Sequence, residues 1–316
     1  MKAFGPVPSR RLGQSMGINN IPPKICTYSC IYCQLGNTIK MQIERENFYR
    51  VEEIIRDVGD KIQEAKKRGE HIDYLTFVPD GEPTLDRNIG KEIKELRKFG
   101  IKIAAITNGS LIWDENVKES LLFADWVSFK IDSISEEIWQ KIDRPFRTLR
   151  LSKILQGMKE FSVIFKGDLA TETMLIKGVN DKKNEIERIA HFIAELSPKK
   201  AYIAIPTRPP AEKWVEPSDE NIINMAFQIF EGQGINVEYL IGYEGNSFAF
   251  TGNVEDDLLS ITSVHPMREE GVDEFLRKAK ADWAVIDKLI KEGKLIEISY
   301  EGKTFFMRKL PGRKFD

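Results

Sequence analysis

Short apolar runs alternate with amphipathic helical segments for about 230 residues, and this repeat constrains the fold more than any other feature of the chain. Candidate strands are Tyr74–Val78, Ile101–Thr107, Trp126–Ile131, Thr171–Ile176, Ala201–Ile205 and Val237–Ile241, with a first strand near Ser15–Ile18. Between them lie candidate helices at Val51–Arg68, Arg87–Phe99, Asp114–Phe123, Leu149–Phe161, Asp181–Leu196 and Ser218–Gln233. In the first helix Val51, Ile54, Ile55, Val58 and Ile62 recur at helical spacing and form one apolar face. Strand–helix alternation of this kind predicts parallel strands joined by crossover helices, as an open sheet or a β/α barrel. Near Phe250 the pattern changes to helices at Asp256–Val264, Gly271–Lys280 and Ala281–Glu292. Two alternating runs follow, Leu295–Tyr300 and Lys303–Arg308, about a Glu301-Gly302 turn. Three helices and a hairpin predict a small winged-helix-like domain. The expected division is residues 1–245 for an α/β unit and 250–316 for the tail.

The chain's 316 residues carry 47 Lys+Arg against 49 Asp+Glu, a net charge of -2. That balance excludes a global electrostatic pull on nucleic acid or anionic membrane, leaving only local patches. No run approaches the ~20 apolar residues of a membrane span, and the first residues lack a signal-peptide pattern. A cytoplasmic location without membrane partners is expected.

Its three cysteines, Cys26, Cys30 and Cys33, all fall in KICTYSCIYCQLG as C-x3-C-x2-C. An odd, tight cluster excludes a disulfide framework and reads as metal or redox chemistry. Soft thiolates in one loop suit an iron–sulfur cluster or zinc. A closed zinc site needs a fourth ligand, and none of His71, His191 and His265 lies in the loop. A [4Fe-4S] cluster with three protein ligands and one open iron fits the count.

This loop, with Tyr32 just before the last cysteine, resembles the hallmark of the radical S-adenosylmethionine superfamily. PVPSRRLG ahead of it is similar to a less-characterised archaeal and bacterial branch. The resemblance implies a partial (β/α)6-type TIM barrel and a cluster whose unique iron binds the amino and carboxylate groups of S-adenosylmethionine. It also implies reductive cleavage of that cofactor to a 5′-deoxyadenosyl radical that abstracts hydrogen from a substrate, with electrons from a low-potential donor. Tyr32 would then lie beside the adenine. Asp80-Gly81-Glu82-Pro83, after a predicted strand, looks like the family's GGEP motif for the methionine amino group, with Asp80 in place of the first glycine. By the same similarity Asn108, Ser128 and Asp132 are candidates for ribose or carboxylate contacts, and Ile176 for packing on adenine.

Arg10, Arg11 and Arg208 are the candidate substrate contacts and suit an anionic ligand. In the tail, Lys303, Arg308, Lys309, Arg313 and Lys314 form a basic wing and terminus. A winged helix with such a wing admits RNA as a partner, and modification of a tRNA base as the reaction. The rival reading is a non-catalytic iron–sulfur sensor or nucleic-acid-binding regulator, in which the three-cysteine site switches the tail.

Overall fold

The computed structural model describes residues 2–241, 248, 250 and 252–309. The expected boundary at residue 245, and Arg313 and Lys314, lie outside the described residues. The chain opens with strands β1 (Ala3–Ser9) and β2 (Gly13–Ile18), followed by the short pair β3 (Ile25–Cys26) and β4 (Lys40–Met41). Helix α1 (Val51–Lys67) then leads into β5 (Tyr74–Phe77), α2 (Ile89–Leu96), β6 (Lys102–Thr107), α3 (Glu115–Leu121) and β7 (Trp126–Lys130). Two helices follow, α4 (Glu136–Asp143) and α5 (Leu151–Ile164), before β8 (Asp168–Met174), α6 (Lys183–Leu196), β9 (Lys200–Ala204), α7 (Glu220–Gly232) and β10 (Val237–Leu240).

Eight strands form one sheet in the order β1-β2-β5-β6-β7-β8-β9-β10. From β2 to β10 every pairing is parallel, with a helical crossover between neighbours, as the alternation predicts. The sheet curls into a partial barrel whose edge strands, β1 and β10, are not paired with each other. Side chains alternate across it with period two. Ile103, Ala105, Val127, Phe129, Leu169 and Ile203 pack outward in the main core with the helices. Leu12, Ala104, Trp126, Ala170 and Tyr202 point inward and form an apolar floor. Ser128 and Lys130 share the inward face of β7 with Trp126, one and two steps nearer the C-terminal end of the strands.

Two elements depart from the sequence reading. Strand β1, whose segment FGPVPS carries Gly5, Pro6 and Pro8 and is not among the candidate strands, pairs antiparallel with β2. Prolines cannot donate to a ladder and are tolerated on an edge, which is where β1 lies. Helix α4 supplies a second crossover helix between β7 and β8, its Trp139 and Ile142 buried. Eight residues are too few for periodicity to stand out.

The tail runs α8 (Val254–Val264), β11 (Met267–Arg268), α9 (Glu269–Ala279), α10 (Ala284–Lys291), β12 (Leu295–Tyr300) and β13 (Lys303–Arg308), with sheet order β11-β13-β12. That is the winged-helix order of elements, with β11 added to the expected three helices and hairpin. Its core is shared with the barrel: Phe4 and Val7 of β1 pack among Leu258, Ile261, Phe275 and Phe306. Lys61 of α1 meets Asp257 of α8 at 2.8 Å, both nearly buried. On the other edge the tail reaches the loop after β9, where Arg208 Nη2 lies 3.0 Å from His265 Nε2 and the Tyr300 hydroxyl donates to the Pro206 carbonyl at 3.4 Å. The tail therefore contacts the edge strand β1 and the loop after β9. No helix among the described residues is long and apolar enough to cross a membrane.

Candidate active site

The cysteine loop is clamped from two directions. The Ser29 and Ile31 amides donate to the Asp143 and Ile142 carbonyls at the end of α4, at 3.0 and 2.9 Å, and the Cys33 amide closes a turn on the Cys30 carbonyl at 3.1 Å. From the barrel side, Asn108 Nδ2 and Ser110 Oγ donate to Thr27 Oγ1 at 2.8 and 2.7 Å. Cys26, Cys30 and Cys33 thereby line one cavity of about 290 Å³ at the C-terminal ends of the strands. Each sulfur meets a different neighbour: Asn108 Nδ2 at 3.7 Å from Cys26, Asp143 Oδ1 at 3.2 Å from Cys30, and Lys24 Nζ at 3.8 Å from Cys33. Among the described residues no three ligating groups close on a single ion-sized point. Three soft thiols on one cavity wall suit an iron–sulfur cluster. Burial, aided by the Glu82 charge, pushes the Cys26 thiol up to about 12, and burial with Asp143 pushes Cys30 up as well. Such thiols become thiolates through a cation that takes the place of the proton.

The Asp80-Gly81-Glu82-Pro83 turn follows β5 and presses against the segment leading to Cys26. Gly81 bridges Ile25 in parallel fashion, and a Cβ there would stand 2.0 Å from the Ile25 carbonyl oxygen, so only glycine fits. The Glu82 side chain does not reach for a ligand. Its Oε1 accepts from the Thr84 amide at 3.0 Å and from the Thr84 and Thr107 hydroxyls at 2.6 Å each, while Oε2 accepts from the Asn108 amide at 2.8 Å. Burial raises its pKa against those four bonds. Gly81, Glu82 and Asn108 line the cavity. Pro83 is buried at the start of a single 3-10 turn, and Asp80 is buried against Lys24.

Three expected cofactor contacts stand behind the wall instead. Ser128 is buried one step below the cavity on β7. Asp132, also buried, accepts from the Tyr32 hydroxyl and, at 2.7 Å, from the Met174 amide, so it orients the Tyr32 ring. Ile176 packs with Ile31, Ile142, Val179 and Val215. Tyr32 itself lines the cavity.

The opposite wall is cationic. Arg10 and Arg11 lie in the β1–β2 turn, at the far end of the strands from the barrel mouth, yet both side chains enter the cavity. Arg10 Nη2 donates to the Tyr239 carbonyl of β10 at 2.8 Å, tying the two edges of the seam. Arg11 and Lys130 both pair with Glu172. Burial alone would raise Glu172, but those two cations overturn it and hold the carboxyl at about 2. Arg208 lines the same space, with Nη1 donating to Gln34 Oε1 at 2.8 Å. Lys130 and Lys24 escaped the sequence reading. Stepping by two from Trp126 along β7 would have marked Lys130 as inward-facing; Lys24 carries no such signal.

The sequence profile of the radical SAM superfamily matches residues 20–193, more than half of the chain. Over 313 residues, 98% of this chain and 97% of the relative, the sequence is 50% identical to UPF0026 protein MJ1312 of Methanocaldococcus jannaschii. Over 135 residues, 41% of this chain and 26% of the relative, it is 30% identical to the S-adenosylmethionine-dependent nucleotide dehydratase of Lacinutrix mariniflava. The fold is similar to that of a radical SAM methyltransferase from Sphaerobacter thermophilus, with a TM-score of 0.55 over 72% of this chain and 66% of that one at 14% identity. A profile match across the barrel, on a chain whose geometry brings three thiols to one cavity at the strand ends, makes this protein a member of the radical SAM superfamily of enzymes.

Proposed function

We propose that this enzyme abstracts hydrogen from a phosphate-bearing substrate, a nucleotide in the first instance, held in the cavity between the cysteine loop and the cationic wall. The carrying observation is that Arg10, Arg11, Lys130 and Arg208 line the same cavity as the three cysteines, with two carboxylates, Glu82 and Glu172, among its described lining residues. Glu82 is taken up by its four hydrogen bonds, and the single charge of Glu172 is shared by two cations, Arg11 and Lys130, which leaves that group net positive toward an anion. The nucleotide dehydratase similarity supports the same class. Family membership implies a [4Fe-4S] cluster and S-adenosylmethionine, and the donor set fits: Cys26, Cys30 and Cys33 would hold the cluster. Bound together, the two groups would supply the radical chemistry for hydrogen abstraction, with electrons from a low-potential donor.

The chain's own residues position and shield. Gly81, Glu82 and Asn108 form the wall next to Cys26, where the cofactor's methionine end would lie. Tyr32, steadied by Asp132, presents a ring beside Cys33. The floor of Trp126, Tyr202 and Leu12 closes the barrel to water from below. Arg11 and Lys130, locked by Glu172, are pre-organised for an anionic group. In the tail, Lys288 pairs with Glu255, Lys294 with Glu292 and Lys278 with Glu70.

The test is 5′-deoxyadenosine formation by the loaded enzyme with nucleoside mono-, di- and triphosphates, their dephosphorylated nucleosides, and tRNA. Nucleotides are expected to accelerate it and nucleosides to fail; stimulation by tRNA alone would move the substrate to RNA. Arg11→Ala is expected to raise the KM of the active nucleotide about ten- to a hundredfold, the loss of one charge-assisted contact, with cluster content unchanged. An unchanged KM would remove Arg11 from the site.

A further inference from the structure

Lys24 has no part in the chemistry described so far, yet its placement is costly. It is 2% exposed, its backbone is left-handed at φ 63°, and its amide donates to the Asp80 carbonyl at 2.6 Å. Its ammonium lies 2.5 Å from the Gly36 carbonyl oxygen, 3.8 Å from Asp80 Oδ1 and 3.8 Å from Cys33 Sγ. A buried ammonium and a left-handed non-glycine residue both oppose folding unless the surroundings fix them. Asp80 is also the position at which DGEP departs from the GGEP pattern. The two unusual residues therefore form one feature: a charge pair whose positive end touches the sulfur of a cysteine ligand.

We propose that Lys24 and Asp80 set the reduction potential of the cluster. The inference rests on the cluster assignment made under Proposed function. Reduction adds one electron from an external low-potential donor to the cluster; no bond forms or breaks, and the net charge becomes more negative by one. Hydrogen bonds to the sulfurs, burial and nearby charge are the protein's means of tuning such a centre. The Lys24 ammonium beside Cys33 stabilises the reduced, more negative form and raises the potential. Asp80 holds the ammonium and offsets part of its field. A purely structural Lys24, tying the loop through Gly36, would leave the potential where it is.

The experiment is an anaerobic redox titration of the reconstituted protein, read by electron paramagnetic resonance, with iron and sulfide counted in every sample. Lys24→Met is expected to make the cluster at least tenfold harder to reduce, about 59 mV lower for one electron. Asp80→Asn is expected to shift the potential upward, and Lys24→Arg to restore it toward wild type. Equal potentials for wild type and Lys24→Met at equal loading, or shifts of the same sign in Lys24→Met and Asp80→Asn, would overturn the assignment. Should Lys24→Met fail to hold iron, Asp80→Asn decides alone: a rise supports the pair and an unchanged or lowered potential contradicts it. A wild-type protein that takes up no four-iron cluster contradicts the underlying reading, and this one with it; loaded wild type with unshifted variants contradicts this one only.

Discussion

Gly81→Ala is expected to strip the cysteine loop of its iron while leaving the barrel folded. The added Cβ would stand 2.0 Å from the Ile25 carbonyl oxygen and 2.8 Å from Ile21 Cδ1, where real contacts do not fall below 3.0 Å. The obstacle is backbone rather than a swinging side chain, so the two segments must part. Parting them breaks the Ile25–Gly81 bridge and the 3.2 Å bond from the Glu82 amide to the Ile25 carbonyl, and Cys26 follows Ile25 directly. Overpacking of this kind costs about 1–3 kcal/mol, which a chain with a core this extensive survives. Iron bound after reconstitution is expected to fall more than tenfold, with a far-ultraviolet circular dichroism spectrum like that of wild type. Wild-type iron content in Gly81→Ala would show that the turn does not set the position of Cys26.

Glu82 separates a structural from a site-specific effect. Alanine leaves the Thr84 and Asn108 amides and the Thr84 and Thr107 hydroxyls without their acceptor, in a site where Glu82 is 1% exposed. An unsatisfied buried group costs about 1–3 kcal/mol. With hydroxyls free to turn elsewhere, a total of roughly 3–5 kcal/mol is expected, a fall in Tm of roughly 10 °C. Glutamine is the informative variant. Its one carbonyl oxygen can keep the three bonds made by Oε1, but its amide then faces the Asn108 N–H, donor against donor. Glu82→Gln is therefore expected to melt within a few degrees of wild type and yet release Asn108, whose Nδ2 touches both Thr27 and Cys26. Isothermal titration of the loaded proteins with S-adenosylmethionine checks this: affinity is expected to drop at least tenfold in Glu82→Gln. Unchanged affinity with a collapsed Tm would make Glu82 a fold residue alone.

The site was legible in the sequence wherever its chemistry is contiguous. C-x3-C-x2-C and DGEP are local strings, and the three cysteines with Gly81 and Glu82 fall on the cavity wall through the loop or strand end that the alternation predicts. The rest depends on depth. Ser128 and Lys130 share one face of β7, and period two shows that both point inward but not which reaches the cavity. Asp132 lies just past the strand end as expected, yet its carboxylate is spent on Tyr32 and Met174. Lys24 and Lys130 were passed over because lysine is exposed by default, and only tertiary packing buries them beside Asp80 and Glu172. Arg10 and Arg11, expected as substrate contacts, line the cavity although they lie at the far end of the barrel from its mouth. The unpaired seam between β1 and β10 lets long side chains enter from there. Strand β1 itself was hidden by its prolines, and with it the reason the tail docks where it does.

The most direct test of the account is to load the protein anaerobically with iron and sulfide, add dithionite, S-adenosylmethionine and the nucleotide panel, and measure 5′-deoxyadenosine in wild type beside Cys30→Ala. Wild type is expected to release 5′-deoxyadenosine and Cys30→Ala, with its cluster lost, to release none. Equal release from both, or none from a wild type shown to carry four irons, would contradict the radical mechanism on which the account stands.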